Sequence, residues 1–426
     1  MPNTVYIELG DQAMTNRLFT YPNEGHTGQS LQETIEHYFN DSIRREGLTE
    51  FRIAANVTAD RCTVEISLDD QDIANRIASR YQEFFDNGKT GLQAADAFRT
   101  SGKWDEKWMF LLPLGVPLAF AKAIEIMDFP PLTLLRKQDY LNSKTTSRWW
   151  ELLMLNGVRY DERARYSCIL DIVPVAAPAS DGEKLRLSGI YDGPFDSYAM
   201  PLLELLVPTQ TAQYRPLIAL GLPIRIWIKR LWNLSLKVMD TGTINLESGA
   251  TCKVIATNHP SFFYYAVHSN TGPDATKKNL ATGLLVMKQD IIGAAWHAEM
   301  GRNPSEDPTV VLEMCVHKWE DRDEELLELV KTQARLPPSI LASSEVSLGA
   351  VKPLVPSASE LEDLERQFYY ASDVQHLKKQ ADTNTLDAND VSLSKIEPFV
   401  PSNQELEELE RQFYASNSGR PAEDID

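Results

Sequence analysis

Arg215-Pro-Leu-Ile-Ala-Leu-Gly221 and Gly249-Ala-Thr-Cys-Lys-Val-Ile-Ala-Thr-Asn-His-Pro-Ser261 bracket a Trp- and Arg-rich stretch, and the fold follows from reading them together. Leu217 to Leu220 and Val254 to Ala256 are short apolar runs, closed by the loop signals Leu-Gly and Asn-His-Pro-Ser. Between them Ile224, Trp227, Ile228, Leu231 and Trp232 recur at helical spacing. Strand, crossover helix and strand make one βαβ unit. Open α/β sheets bind ligands at the carboxyl ends of their strands, so His259, in the loop after the second strand, is the first candidate site residue.

Working outward, Trp108 to Leu114 reads as a buried strand, followed by an apolar helix through Ile126. Arg148 to Leu155 is a compact helix ended by Asn156-Gly157, Cys168 to Val175 a strand with a single charge at Asp171, and Tyr198 to Val207 an amphipathic helix. A long helix from about Ala281 to Met300 carries Lys288, Asp290, Trp296 and His297, and Asp307 to Lys331 reads as one more. Apolar strands alternating with helices predict an α/β fold over 101–335, three layers α/β/α with a central parallel four-stranded sheet. Residues 1–100 read as an α+β layer beside it. There Phe51–Val57 and Cys62–Leu68 form a hairpin, Ser30 and Glu33 a capping box, and Asp69 or Asp70 caps a helix that stops at Asn87-Gly88.

The bulk numbers narrow the classes. A chain of 426 residues, 43% hydrophobic, has the length for a sizeable core. Its four cysteines, Cys62, Cys168, Cys252 and Cys315, form no C-x-x-C pair, which argues against a zinc site, an iron–sulfur cluster or a disulfide framework. Neither metal nor cofactor is expected. With no signal peptide and no apolar run of membrane-spanning length, the expectation is an intracellular protein of the nucleus or cytoplasm, with no membrane partner. The net charge of −19 opposes non-specific coating of nucleic acid, yet Arg225, Lys229 and Arg230 give the crossover helix a local positive face for DNA phosphates. A solvated helix face is the alternative reading.

Residues 336–426 are rich in Ser, Pro, Asp, Glu and Asn and read as an acidic disordered tail. It contains a repeat at 353–372 and 398–416: Pro353-Leu-Val-Pro-Ser-Ala-Ser-Glu-Leu-Glu-Asp-Leu-Glu-Arg-Gln-Phe-Tyr369 returns as Pro398-Phe-Val-Pro-Ser-Asn-Gln-Glu-Leu-Glu-Glu-Leu-Glu-Arg-Gln-Phe-Tyr414. Each copy opens on a capping box and sets three apolar residues on one face: Leu361, Leu364 and Phe368, then Leu406, Leu409 and Phe413. A lone helix of this length is marginal in water. The two stripes therefore read as helix-in-groove ligands for a protein partner, or as helices that dock on their own domain.

The order of these elements carries a resemblance. The Ser147-Arg148-Trp149-Trp150 start, the Ala-Leu-Gly strand end, the later His-Pro-Ser loop and the Asp290-Ile291 pair resemble the uracil-DNA glycosylase superfamily over about residues 108–300. The resemblance implies base flipping and cleavage of a glycosidic bond. It implies that His259 stabilises the departing base and that Asp171 stands where a base-reading amide projects. Tyr140 would stack on the base, Ser261 would shape the loop against a phosphate, and Phe262 or Phe263 would wedge into the stack. Leu114-Gly115-Val116-Pro117 is the counterpart of the family's first motif, shorter by one residue and without its polar side chain. Two functions are consistent with this pattern: a divergent DNA glycosylase, or a non-catalytic protein of the same fold that acts as a binding or scaffold module.

Overall fold

The βαβ unit is the centre of the larger sheet in the computed structural model. The structure describes residues 3–19, 30–110, 124–127, 144–159, 162, 166, 168–177, 181–207, 216–270, 274–334 and 348–369. Residues 1–376 form one compact unit, to which every described residue belongs, and 377–426 a second.

At the N-terminus, β1 (Asn3–Gly10), α1 (Gln12–Phe19), α2 (Leu31–Arg45), β2 (Phe51–Val57), β3 (Cys62–Leu68) and α3 (Gln71–Thr100) follow one another. β1 and β2 flank β3 in an antiparallel sheet. Ile7, Leu9, Val64 and Ile66 alternate with exposed or half-exposed neighbours along β1 and β3 and are buried, the period-2 pattern of a sheet covered on one side. The Ser30–Glu33 box closes at both ends, and the Asp70 side chain accepts from the N–H groups of Asp72 and Ile73. α3 does not stop at Asn87-Gly88. It continues through Gly91, where an added Cβ would lie 2.6 Å from the Tyr198 ring. Gly91 serves the close approach of a second helix, a tertiary use that outweighs its modest cost within a helix.

The second half comprises β4 (Met109–Phe110), β5 (Ile124–Met127), α4 (Lys144–Leu155), β6 (Cys168–Asp171), β7 (Val175–Ala176), α5 (Gly182–Leu187), α6 (Asp196–Leu206), β8 (Leu217–Leu220), α7 (Leu222–Trp232), β9 (Thr241–Asn245), β10 (Thr251–Thr257), α8 (Phe262–Ala266), α9 (Ala275–Arg302), α10 (Pro308–Trp319), α11 (Asp323–Gln333) and α12 (Leu348–Val351). β6, β5, β8 and β10 pair in parallel in that order, and β9 adds an antiparallel edge on β10. The larger sheet is thus mixed and five-stranded, where four parallel strands were expected. β5 occupies residues expected to end a helix, and Met109–Phe110 pairs with β7 in a separate two-stranded ladder. The single helix expected over Asp307 to Lys331 is two, α10 and α11, broken between Trp319 and Asp323.

Side chains of the sheet alternate between two cores. Leu217, Ala219, Val254 and Ala256 join the core shared with α3, α6 and the N-terminal layer, while Ile218, Leu220 and Ile255 join one built from α4, α8, α9, α10 and α11. No helix among the described residues is long and apolar enough to cross a membrane.

Candidate functional site

The carboxyl ends of β8 and β10 lie side by side, with Thr257 in register with Leu220. The chain leaves β8 at Gly221, whose φ of 91° is open to glycine and strained for other residues, and whose N–H donates to the Thr257 carbonyl at 3.0 Å. It leaves β10 through Asn258-His259-Pro260-Ser261. Asn258 is buried, and its Nδ2 donates to Gln289 Oε1 at 2.9 Å and to Asp290 Oδ1 at 3.3 Å, both on α9. Asp290 Oδ2 accepts from Arg148 Nη2 at 2.7 Å. The Arg148 guanidinium lies 3.8 Å over the Phe263 ring and also donates to Gln333. Burial pushes the Asp290 carboxyl up to about 6, although Arg148 pulls it down. A buried charge network thus fixes the loop from beneath.

The Ser261 N–H donates to His259 Nδ1 at 3.2 Å, which places the ring proton on Nε2. Burial lowers the His259 pKa to about 4, so at neutral pH it is an uncharged imidazole with Nε2 as its donor. Phe262 is fully buried at the start of α8, and Ser261, half-buried, stands at the position before it.

A tail segment covers this loop. Residues 358–369 form a further helix, α13. Its capping box is closed: the Ser357 N–H donates to Glu360 Oε2 at 2.7 Å, and the Glu360 N–H donates to Ser357 Oγ at 3.3 Å. Leu361 is buried in the core of α9, and Leu364 and Phe368 pack against it. The Phe368 ring centre lies 5.7 Å from Phe262, 5.7 Å from Tyr265 and 6.2 Å from His259. Glu365, 1% exposed, is ion-paired with Arg225, itself 5% exposed. The Tyr369 hydroxyl occupies the space that a Cβ on Gly221 would need. The described part of the tail therefore belongs to the folded unit, in place of the disorder expected from its composition.

The expected residues fare unequally. His259, Ser261 and Phe262 share one loop. Asp171 is buried at the end of β6, three strand positions from β10, roughly 14 Å at the usual strand spacing. Its charge acts instead on Tyr198 of α6, whose phenol is raised by burial first and by Asp171 second. Arg225, expected to face phosphates, points inward to Glu365 because the tail supplies a carboxylate that no local pattern shows. Arg230 forms a two-pronged pair with Asp196, both bonds at 2.7 Å, and Lys229 is exposed on α7. Gly115, Tyr140, Leu406, Leu409 and Phe413 lie outside the described residues.

One side chain of the site went unread. Glu365 lies on the stripe of Leu361, Leu364 and Phe368, and Glu410 at the same place in the second repeat; a carboxylate repeated within an apolar stripe is a signal for a buried cation. Arg148 and Asp290 mark the resemblance in sequence but act here as one ion pair. A depression lined by Asn156, Glu299, Arg302, Met314, Cys315 and Lys318 includes none of the expected site residues. Among the described residues no cluster of His, Cys, Asp or Glu is suited to a metal ion. No protein-family model, curated protein or solved structure matches the chain.

Proposed function

We propose that the chain is a non-catalytic binding module on a glycosylase-like α/β domain, whose loop site holds an amphipathic helix instead of a flipped base. The finer reading of the fold, a central parallel sheet between helical layers, belongs to the same proposal. It is supported by the parallel run of β6, β5, β8 and β10 and by the His259 loop that follows the last of them.

One observation carries the reading: Phe368 and Glu365 of α13 fill the ground between α7 and α8 that a base and a phosphate would need. Base release also requires a donor on the leaving base and a second group to position water, both within hydrogen-bond reach. His259 has the chemistry of the donor, but Asp171 stands across the sheet and the Phe368 ring stands beside the imidazole, 6.2 Å from it centre to centre. Of the cations expected on DNA, Arg225 is engaged by Glu365 and Arg230 by Asp196.

The test is a gel assay for abasic sites on single- and double-stranded oligonucleotides carrying U, T:G or hypoxanthine. No base release is expected from the wild-type chain or from a Phe368→Asp/Phe413→Asp variant, in which neither repeat can cover the loop. Release by the wild type would restore the enzyme reading. Release by the variant alone would make α13 an inhibitory plug on an active site.

A further inference from the structure

Exposed apolar side chains gather on one side of the second core. Of the nine large ones among the described residues, Met154 and Leu155 end α4, and Val310, Met314 and Val316 lie on α10. The two segments meet at Asn156. Its Oδ1 accepts from the Trp319 indole N–H at 3.2 Å, and its carbonyl accepts from Arg302 Nη2 of α9 at 2.9 Å. The depression between α9 and α10 opens there, with the buried Ala295 and Cys315 among its walls and Met314, 54% exposed, on its rim. Its volume is about 90 Å³. A small-molecule site takes a few hundred, and a cavity of roughly 150 Å³ admits a benzene ring. This one suits a single aliphatic side chain.

α10 carries more apolar surface than its own core uses. Val311, Cys315 and Trp319 face inward. Val310, Met314 and Lys318 follow one another at intervals of four and so form a second stripe, beside the depression. That stripe ends on a cation without a counter-charge. Lys318 Nζ donates to Asn156 Oδ1 at 3.4 Å and, among the described residues, has no ion pair. Glu299, also on the depression, is engaged through one oxygen by Arg302 Nη1 and through the other by Asn303 Nδ2.

Clustered exposed apolar side chains mark interaction surfaces, and the groove between two helices takes the ridge of a third. A helix satisfies its own backbone groups, whereas an extended segment laid here would set unpaired N–H and C=O groups against an apolar stripe. Two copies of the stripe do not complement each other: antiparallel pairing sets Lys318 against Val310, and parallel pairing sets Lys318 against Lys318.

We propose that the groove between α9 and α10 receives a helix of another protein, one that carries two aliphatic residues and a carboxylate at successive intervals of four. The aliphatic pair covers Val310 and Met314, with one side chain entering the depression, and the carboxylate pairs with Lys318. No residue of this surface belongs to the loop site, so the inference stands apart from the reading of that site.

Peptide binding to the full chain tests this. The probes are alanine-rich helical peptides containing Leu-x-x-x-Leu-x-x-x-Glu, the same with Lys in place of Glu, and both in reversed order, each with a fluorescent label. Anisotropy reads affinity, and the Met314 methyl in an NMR spectrum reads location. In one of the two orders the Glu peptide should shift the Met314 methyl and bind about fivefold more tightly than its Lys counterpart, the upper range for an exposed ion pair. Lys318→Glu should invert that preference. Met314→Asp should abolish binding, and Val316→Asp, on the same helix but off the stripe, should leave it unchanged. The methyls of Met287 and Met300, both fully buried, report in each variant that the core is intact. Equal affinity for the Glu and Lys peptides, a preference that Lys318→Glu does not invert, or binding that survives Met314→Asp overturns the proposal. So does the absence of binding by every peptide at millimolar concentration. A concentration-dependent dimer in sedimentation, abolished by Met314→Asp, would give the surface to a second copy of the chain and overturns it as well.

Discussion

Breaking the Arg148–Asp290 pair is the perturbation whose outcome the structure constrains most tightly. The side chains are 0% and 2% exposed and 2.7 Å apart. Removing one partner leaves a buried charge uncompensated, so Asp290→Ala should cost about 3–5 kcal/mol of unfolding free energy. A solvated pair would cost less than about 1 kcal/mol. The pair as a whole is not a net gain, because burial holds the Asp290 carboxyl at about 6 in spite of Arg148. Against an ordinary value of 3.8 this upward shift corresponds to about 3 kcal/mol. The sign follows from linkage: the folded state binds the proton more tightly, so stability contributed by Asp290 is fully present below pH 3.8 and lost as pH rises through about 6. Arg148→Met/Asp290→Leu should therefore lie within about 1 kcal/mol of the wild type or above it by a few, and should lack this fall with pH. Urea denaturation of the four members of the cycle at pH 5 and pH 8 measures both effects. A double substitution as costly as the sum of the singles, or an Asp290→Ala loss below about 0.5 kcal/mol, would refute the buried-pair reasoning.

The docking of α13 responds to pH through two groups of opposite sign. Burial pushes Glu365 up to about 7 against the pull of Arg225, so its contribution is lost as pH rises from 4.5 through 7. Burial holds His259 at about 4, so its contribution is lost as pH falls from 6.5 through 4. In a background lacking Phe413, His259→Gln should leave docking that weakens steadily from pH 5 to 7.5, and Glu365→Gln docking that weakens on acidification, as read by proteolysis within 357–369. The reverse order would show that neither group is buried by the helix. Phe368→Ala in the same background should let the His259 pKa climb toward 6.5 in an NMR titration; an unchanged value would mean that the loop, and not the helix, desolvates the ring. Gly221→Ala should cost at least about 1 kcal/mol through its positive φ and should also displace α13. Tyr369→Phe in that variant should restore docking but not the backbone cost, and full recovery of stability would contradict the strain at position 221.

Local patterns determined a good part of this protein. The apolar runs ending at Gly221 and at Asn258 set the βαβ unit and the loop that carries His259. Ser30 with Glu33, Asp70 and Ser357 with Glu360 set helix starts, because a cap is a contact between residues three apart. What depended on distant partners was decided only in the folded chain. Ile124–Met127 is too short for periodicity to separate strand from helix, and its pairing between β6 and β8 settles the matter. Asn87-Gly88 looks like a stop until Asn87 donates to the Tyr198 carbonyl and the Tyr198 ring packs at Gly91. Arg225 belongs to a basic helix face by spacing alone, and is turned inward by Glu365, a carboxylate 140 positions away. The same contact seats the first repeat on its own domain. Its stripe and cap are written in the sequence, but only the carboxyl ends of β8 and β10, with a buried cation beside them, make its own domain the surface on which that stripe is hidden from water.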